Sequence, residues 1–453
     1  VTENTIEKIG NKDVAWSLIA NILRIGYGVL LFPLILRALP SEEIAFWTIF
    51  SSITALVYLF DFGFSTAFSR NISYIFSGVQ QLKKEGFYDS TEKKEINYSL
   101  LKGVIHSMKF FYCRIALVVL IGLLTIGTFY IHTLLKTYSG NTNDIYIAWF
   151  LLCFICTFNI YTLYYEALIQ GKGFIKTSKQ YAIIGSLINL LIAVIFIFLD
   201  YGIIAIVFAQ VCSIVIVRTL SKRKFFTKDI RQHLSEAKTI KKEDTFKKIA
   251  PNAIKIGLTS IGGYAVLKSG LFIGSIFLPL DNIASYGITI QIIAIIDSIA
   301  KSYYQSFNPR ICQLRVNRRN KDIKKLYIKS SVFCFLSFLI ISICIISCGE
   351  WALKVIKSTT ELLPKKVLIF AFLFAWLEAN HSIAGGFLLA NNEVPYFKAS
   401  LLSGLATITL LLVLFNTFPE FGIWIMILVP GLVQLCYQNW RWPYVLLKSL
   451  KSR

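Results

Sequence analysis

The chain has 453 residues, 55% of them hydrophobic and only 16% charged, with a mean hydropathy of +0.62. Soluble domains carry roughly 25% charged residues, so the composition excludes an ordinary soluble protein. The formal net charge of +22 would point to nucleic acid in a soluble chain. Here the basic residues sit in short loops between apolar runs, so membrane orientation explains them and no nucleic-acid partner is expected.

Roughly 20 apolar residues cross a bilayer. Runs of that length lie at about 14–37, 44–69, 109–131, 145–169, 177–199, 202–220, 252–278, 282–307, 327–348, 364–390, 396–417 and 421–443. The polar stretch Thr2 to Asp13 reads as a cytoplasmic lead-in rather than a cleavable signal. With that end inside, the inner segments hold 36 lysines and arginines and the outer loops hold 6. This asymmetry predicts a multi-pass protein with both termini cytoplasmic, which requires an even number of spans. The longest outer loop runs from Gly349 to Leu363, too short for a folded domain. The inner loops are longer. Lys238 to Lys248 is expected to form a basic helix on the membrane surface, setting topology and meeting anionic lipid.

Five cations remain inside the spans: Arg24, Arg114, Lys255, Lys268 and Lys301. A cation at the helix centre costs roughly 2.5 to 3.5 kcal/mol on the insertion scale. Arg24 lies near the middle of the first run and Lys268 near the middle of the seventh. Both are expected to face a cavity that holds something negative. Arg114 and Lys255 are near span ends, where snorkelling accounts for them. Lys301 follows Asp297 by four positions, which allows either an intrahelical ion pair or a place in the lumen.

Four acids lie inside spans: Asp61, Glu166, Asp297 and Glu378. Glu378 and His381 share a helix face at i,i+3, and a carboxylate beside an imidazole forms a proton-binding pair or a structural hydrogen-bond cluster. Asp61, near the inner end of the second run, is a candidate for holding a cytoplasmic gate against a basic neighbour. Tyr161 and Tyr164, with Tyr165, crowd the fourth run, where aromatic faces suit sugar stacking or a membrane interface. Most of the nine cysteines lie within apolar runs, so Cys153 and Cys156 are expected to pack rather than bind metal. The sequence contains no phosphate loop, metal-ligand spacing or nucleophile motif. No cofactor is expected, and catalysis is not.

The two halves repeat. Leu39-Pro40 followed by Ile44-Ala45 matches Leu278-Pro279 followed by Ile283-Ala284 at an offset of 239. Asp200-Tyr201-Gly202-Ile203 matches Glu420-Phe421-Gly422-Ile423 at an offset of 220. Six spans per repeat is an even number, so the repeats have parallel orientation. The predicted fold is an all-α integral membrane protein of about 12 helices in two parallel-repeat six-helix lobes around a central cavity, the plan of a secondary transporter. The lobes are 1–220 and 252–453, joined by a basic linker at 221–251.

Four short motifs carry a family resemblance: Leu59-Phe60-Asp61-Phe62-Gly63-Phe64-Ser65 with Arg70; Ala167-Leu168-Ile169-Gln170-Gly171; Leu271-Phe272-Ile273-Gly274 with Ile283-Ala284-Ser285-Tyr286; and the paired Gly202 and Gly422. In this order the chain resembles the O-antigen type of polysaccharide-biosynthesis flippase, within the multidrug/oligosaccharidyl-lipid/polysaccharide exporter superfamily. The resemblance implies transfer of an undecaprenyl-diphosphate-linked oligosaccharide from the cytoplasmic to the outer face of a bacterial inner membrane. Relatives often carry an acid beside the Leu-Phe-Ile-Gly position, where this chain has Lys268-Ser269. The expected partners are the lipid-linked oligosaccharide, membrane lipids, and a coupling proton or sodium ion. Arg24, Lys268 and Lys301 are the expected cations for the diphosphate. Glu378, His381, Asp61 and Asp297 are the expected coupling or gating groups. The alternatives are a multidrug cation antiporter of the same superfamily, which needs an acid-dominated cavity, and an O-antigen polymerase or acyltransferase, which needs a larger outer loop.

Overall fold

A computed structural model describes residues 26, 31–76, 78–80, 96–238, 242–316, 319–389 and 394–451. Side chains are described for these except 66, 67, 70, 242–256, 306, 308–310, 312–316 and 451. Every regular element among the described residues is helical. In chain order these are α1 Ser41–Leu59, α2 Phe64–Phe76, α3 Tyr98–Leu135, α4 Thr142–Thr162, α5 Tyr164–Gly171, α6 Ile175–Phe198, α7 Gly202–Phe225 and α8 Lys228–Glu236. They continue with α9 Lys242–Phe277, α10 Leu280–Val316, α11 Asn320–Val355, α12 Lys365–Leu389, α13 Phe397–Thr417, α14 Ile423–Cys436 and α15 Gln438–Lys451. Among the described residues, 11 helical stretches are long and apolar enough to cross a membrane. The expected first span lies mostly outside the described residues.

Large apolar side chains stand exposed along these helices, among them Ile126, Phe129, Leu191, Ile340, Leu402 and Leu405. In water such a surface would aggregate. In a bilayer it is the side that faces lipid, and the chain is a multi-pass membrane protein. With lipid outside, the hydrophobic effect does not drive helix against helix, so close approach and interhelical hydrogen bonds hold the bundle together.

The helices gather into two compact units. One comprises 1–27, 53–132 and 141–257; the other comprises 28–52, 133–140 and 258–453. In the first, α7 packs on α6 and on α4, and α2 packs on α5. Gly185 allows the α6–α7 approach: a Cβ there would stand 2.6 Å from Val217. In the second, α10 packs on α11, and α12 packs on α10, α11, α14 and α15.

The repeat read from sequence recurs in local geometry. Pro40 O accepts from the amide of Ile44 at 3.1 Å, and Pro279 O accepts from that of Ile283 at 3.3 Å. Ile44, Ala45, Ile283 and Ala284 are all fully buried. Gly202 and Gly422 have φ of 49° and 47°, so each turn reverses the chain through a left-handed residue.

Three expectations need correction. The second run is not one helix: Phe62 and Gly63 have φ of 49° and 74°, which ends α1, and α2 begins afresh. The Asp61 carboxylate accepts from the Ser65 amide at 3.1 and 3.2 Å and so caps the new helix. Hydropathy passes through this break because the phenylalanines around Asp61 and Gly63 keep the average of the run apolar. The basic stretch 242–248 is not a separate surface helix either, since α9 runs unbroken from Lys242 to Phe277. Its 36 residues extend about 54 Å at 1.5 Å per residue, well beyond a hydrocarbon core of roughly 30 Å. The short polar helix of this region is α8 instead. It is capped by the Thr227 hydroxyl and docked on α3 by buried Ile230 and by Lys102 Nζ donating to Ala237 O at 2.8 Å. Lastly, Arg218, counted above with the inner segments and not among the five cations inside the spans, belongs to a span. It lies inside α7 and is buried.

Candidate functional site

The second unit encloses a cavity of about 300 Å³ whose lining includes Lys268 from α9, Asp297 and Lys301 from α10, Glu378 from α12 and Gln434 from α14. Small residues allow these helices to meet. A Cβ at Gly274 would stand 2.6 Å from Met426 Sδ, and one at Gly431 would stand 2.3 Å from the Phe374 ring. The Gly431 approach brings α14 against α12, and Gln434 Nε2 donates to Glu378 Oε2 at 2.8 Å. Pro430 lies inside α14 and has no N–H for the carbonyl four residues back, which loosens the helix beside the cavity. Gly262 also serves packing, since a Cβ there would meet the Ser400 backbone at 2.5 Å.

Glu378 heads a chain of polar groups. His381 Nδ1 lies 3.3 Å from Glu378 Oε2 and 3.1 Å from Asn439 Oδ1. Gln438 donates to Gln434 Oε1 at 2.8 Å and to the Ser403 hydroxyl at 3.1 Å, while Trp442 Nε1 donates to Gln438 Oε1 at 3.1 Å. The sequence pairing of Glu378 with His381 is therefore made. Its extension through α14 and α15 was not visible, because Gln434, Gln438 and Asn439 are far away in sequence. Lys301 and Asp297 form their i,i+4 pair at 2.8 Å, and both still line the cavity. Two cations and two carboxylates thus face one space. Lys268 stands apart: among the described residues no carboxylate pairs with it.

The first unit holds a second cavity, of about 190 Å³, lined mainly by polar side chains from α1, α4, α5, α6 and α7. Arg218 is its anchor. It donates through Nη1 to Glu166 Oε2 at 2.9 Å, and through Nε and Nη2 to Asn159 Oδ1 at 3.2 and 2.8 Å. Asn159 in turn donates to the Tyr58 hydroxyl, and Gln170 donates to Glu166 Oε1 at 3.1 Å. The usable signal in sequence was that Asn159 and Glu166, seven apart, share a helix face. Arg218 was hidden because it follows an apolar run directly and precedes Lys222, Arg223 and Lys224.

The remaining candidates lie elsewhere. The described partners of Asp61 are the Tyr112 hydroxyl, which donates to it at 2.6 Å, and the Ser65 amide. Tyr164 is buried in an aromatic cluster with Tyr112 and Tyr165, at centroid distances of 6.5 and 4.3 Å. Tyr161 is exposed and meets Tyr164 edge-on. Neither tyrosine lines a cavity described above. Arg114 is exposed, its guanidinium 3.9 Å from the centroid of the Phe110 ring. Cys153 and Cys156 are buried, and Cys156 Sγ lies 3.7 Å from the Thr54 hydroxyl. Among the described residues no cluster of metal-ligating side chains occurs. Arg24 and the Lys255 side chain lie outside the described residues.

No family model matches the sequence, and no curated protein matches it. Solved structures do match in fold. The inward-facing form of a multidrug resistance MATE family transporter of the MOP superfamily matches with a TM-score of 0.66 at 13% identity, over 99% of this chain and 97% of that one. The MATE multidrug transporter DinF-BH matches with a TM-score of 0.64 at 16% identity, over 99% and 98%. The lipid II flippase MurJ, in an inward closed conformation, matches with a TM-score of 0.63 at 15% identity, over 97% and 87%. At these identities the likeness is one of fold, and it extends over the whole chain.

Proposed function

We propose that the chain is a flippase for an undecaprenyl-diphosphate-linked oligosaccharide, carrying a surface-polysaccharide repeat unit from the cytoplasmic to the outer face of a bacterial inner membrane by ion-coupled alternating access. The observation that carries this reading is Lys268: a cation in a membrane-length helix, lining a cavity, without a carboxylate partner among the described residues. Placing an ammonium there is costly unless something negative visits it, and a diphosphate is a strong acceptor for charged donors. Arg24, on the first apolar run, is the proposed second cation. Glu378 with His381 is the proposed proton-binding pair, because a carboxylate and an imidazole share one hydrogen-bonded chain. The fold shared with a lipid II flippase supports a lipid-linked substrate.

A multidrug cation antiporter is the second reading. Asp297 and Glu378 line the same cavity as Lys268, and carboxylates suit cationic drugs. The fold shared with MATE multidrug transporters supports it equally.

Export of surface glycan in a bacterial strain deleted for its own flippase separates the two. The flippase reading expects restored export, and at least a tenfold loss with Lys268→Ala or Arg24→Ala. Full export by both variants would sink the cation model. A shift in drug susceptibility with no glycan export would establish the antiporter instead.

A further inference from the structure

The polar cavity of the first unit has no role in the diphosphate scheme, yet it is built from groups that are expensive to keep inside a membrane lobe. Its lining includes Tyr58, Asn159, Glu166, Asn189 and Arg218, together with four serines. It is confined to one unit, so its composition can be read directly.

Four ligand classes fail on this chemistry. A phosphate needs free positive charge, but Arg218 already donates to Glu166 and Asn159, and the Glu166 carboxylate beside it would repel an anion. A cationic drug needs free negative charge, and Arg218 offsets the sole lining carboxylate. An apolar ligand would leave Asn189 Oδ1 and the exposed part of the Glu166 carboxylate without donors. A metal ion would find no ligand cluster among the described residues. What remains is a neutral ligand that both donates and accepts many hydrogen bonds.

The site has the complementary groups. Asn189 Oδ1 is buried and receives no hydrogen bond from the described residues. The Glu166 side chain keeps 41% of its surface despite its bond to Arg218, so it retains accepting capacity. Both therefore call for donors. The Ser186 hydroxyl donates within its own helix and keeps its lone pairs for a donor. Tyr58 adds an aromatic ring that is 44% exposed. A ring face beside planar amide, carboxylate and guanidinium groups matches a sugar, whose C–H face is apolar and whose hydroxyls radiate in its plane. The size agrees as well. A cavity of roughly 150 Å³ holds a benzene ring, and this one is about 190 Å³.

We propose that this cavity is a subsite for one neutral pyranose ring of the glycan. The proposal rests on the lipid-linked oligosaccharide reading above.

The test is equilibrium dialysis of the full chain in a detergent without a sugar headgroup. The probes are radiolabelled D-glucose, D-galactose and N-acetyl-D-glucosamine. At least one is expected to bind saturably, one per chain. Asn189→Leu should fill the cavity and weaken that binding at least tenfold with the melting temperature unchanged. A hundredfold excess of pyrophosphate should leave the bound sugar in place. Absence of saturable binding for all three sugars would overturn the subsite, as would equal binding by Asn189→Leu or displacement by pyrophosphate. Glycan export in the deletion strain is scored separately. Sugar binding without export keeps the subsite and removes the flippase reading, whereas export without sugar binding removes the subsite alone.

Discussion

At the scale of single residues, the molecule's chemistry depends on how each buried charge is answered. Arg218 is answered by one carboxylate and one amide, which take three of its N–H groups. Replacing it with Met leaves Asn159 Oδ1 and Glu166 without their donor. A hydrogen bond to a charged group is worth about 1.5 to 3 kcal/mol, and the partial exposure of Glu166 places the loss toward the lower end. Arg218→Met is therefore expected to cost about 2 kcal/mol in a thermal melt of the purified protein. In a double-mutant cycle with Glu166→Gln, the two losses should fail to add, because both variants remove the same ion pair. Glu378 is answered by neutral partners and by an imidazole that can carry a proton. Glu378→Gln keeps the size and most of the hydrogen bonds while removing the titrating group. If this pair couples transport to protons, the variant should bind substrate as the wild type does but lose the acceleration that an imposed pH gradient gives in proteoliposomes. Retention of that acceleration would assign coupling to another group.

At the scale of elements, glycines do two different jobs, and substitution separates them. Gly422 sits at φ 47° and ψ −118°, a conformation that residues with a side chain avoid. A Cβ there would find only Leu278 Cδ2, at 3.6 Å, which is ordinary contact. Gly422→Ala should thus cost about 1 to 3 kcal/mol through backbone strain, with no change in the cavity. Gly431 is helical, and its Cβ would collide with the Phe374 ring. Gly431→Ala should instead push α14 from α12 and break the Gln434–Glu378 bond. The expected readout is a loss of transport larger than the fall in melting temperature alone explains. The helix boundaries follow the same division between local and tertiary causes. The turn at Asp200 was legible because an acid and a glycine interrupt an apolar run. The break at Phe62 carries the same signal in Asp61 and Gly63, but Phe60, Phe62 and Phe64 around it keep the average of the run apolar while the backbone turns.

At the scale of the whole molecule, the one-sided distribution of basic residues predicts that successive spans alternate in direction. A thiol reagent that cannot cross the membrane should therefore label cysteines placed at Ser139 and Ser358 from one side, and cysteines placed at Lys176 and Lys238 from the other. Labelling of all four from one side would refute the alternating topology. Hydropathy and the one-sided count of basic residues were readable in sequence, because each is a sum over many residues that the bilayer itself enforces. The pairing of Glu378 with His381, and of Asp297 with Lys301, was readable too, since helical spacing alone brings them together. The identity of the cavities was not. Arg218 reaches Glu166 across 52 positions and Gln434 reaches Glu378 across 56, and no local pattern encodes such meetings. They exist because glycines such as Gly185 and Gly431 let particular helix faces approach, and a helix face is chosen by packing. Sequence alone thus determined that the chain is a membrane bundle of two like halves with charges inside it. The tertiary structure decided which charges are neutralised in pairs and which, like Lys268, line a cavity with no carboxylate partner among the described residues.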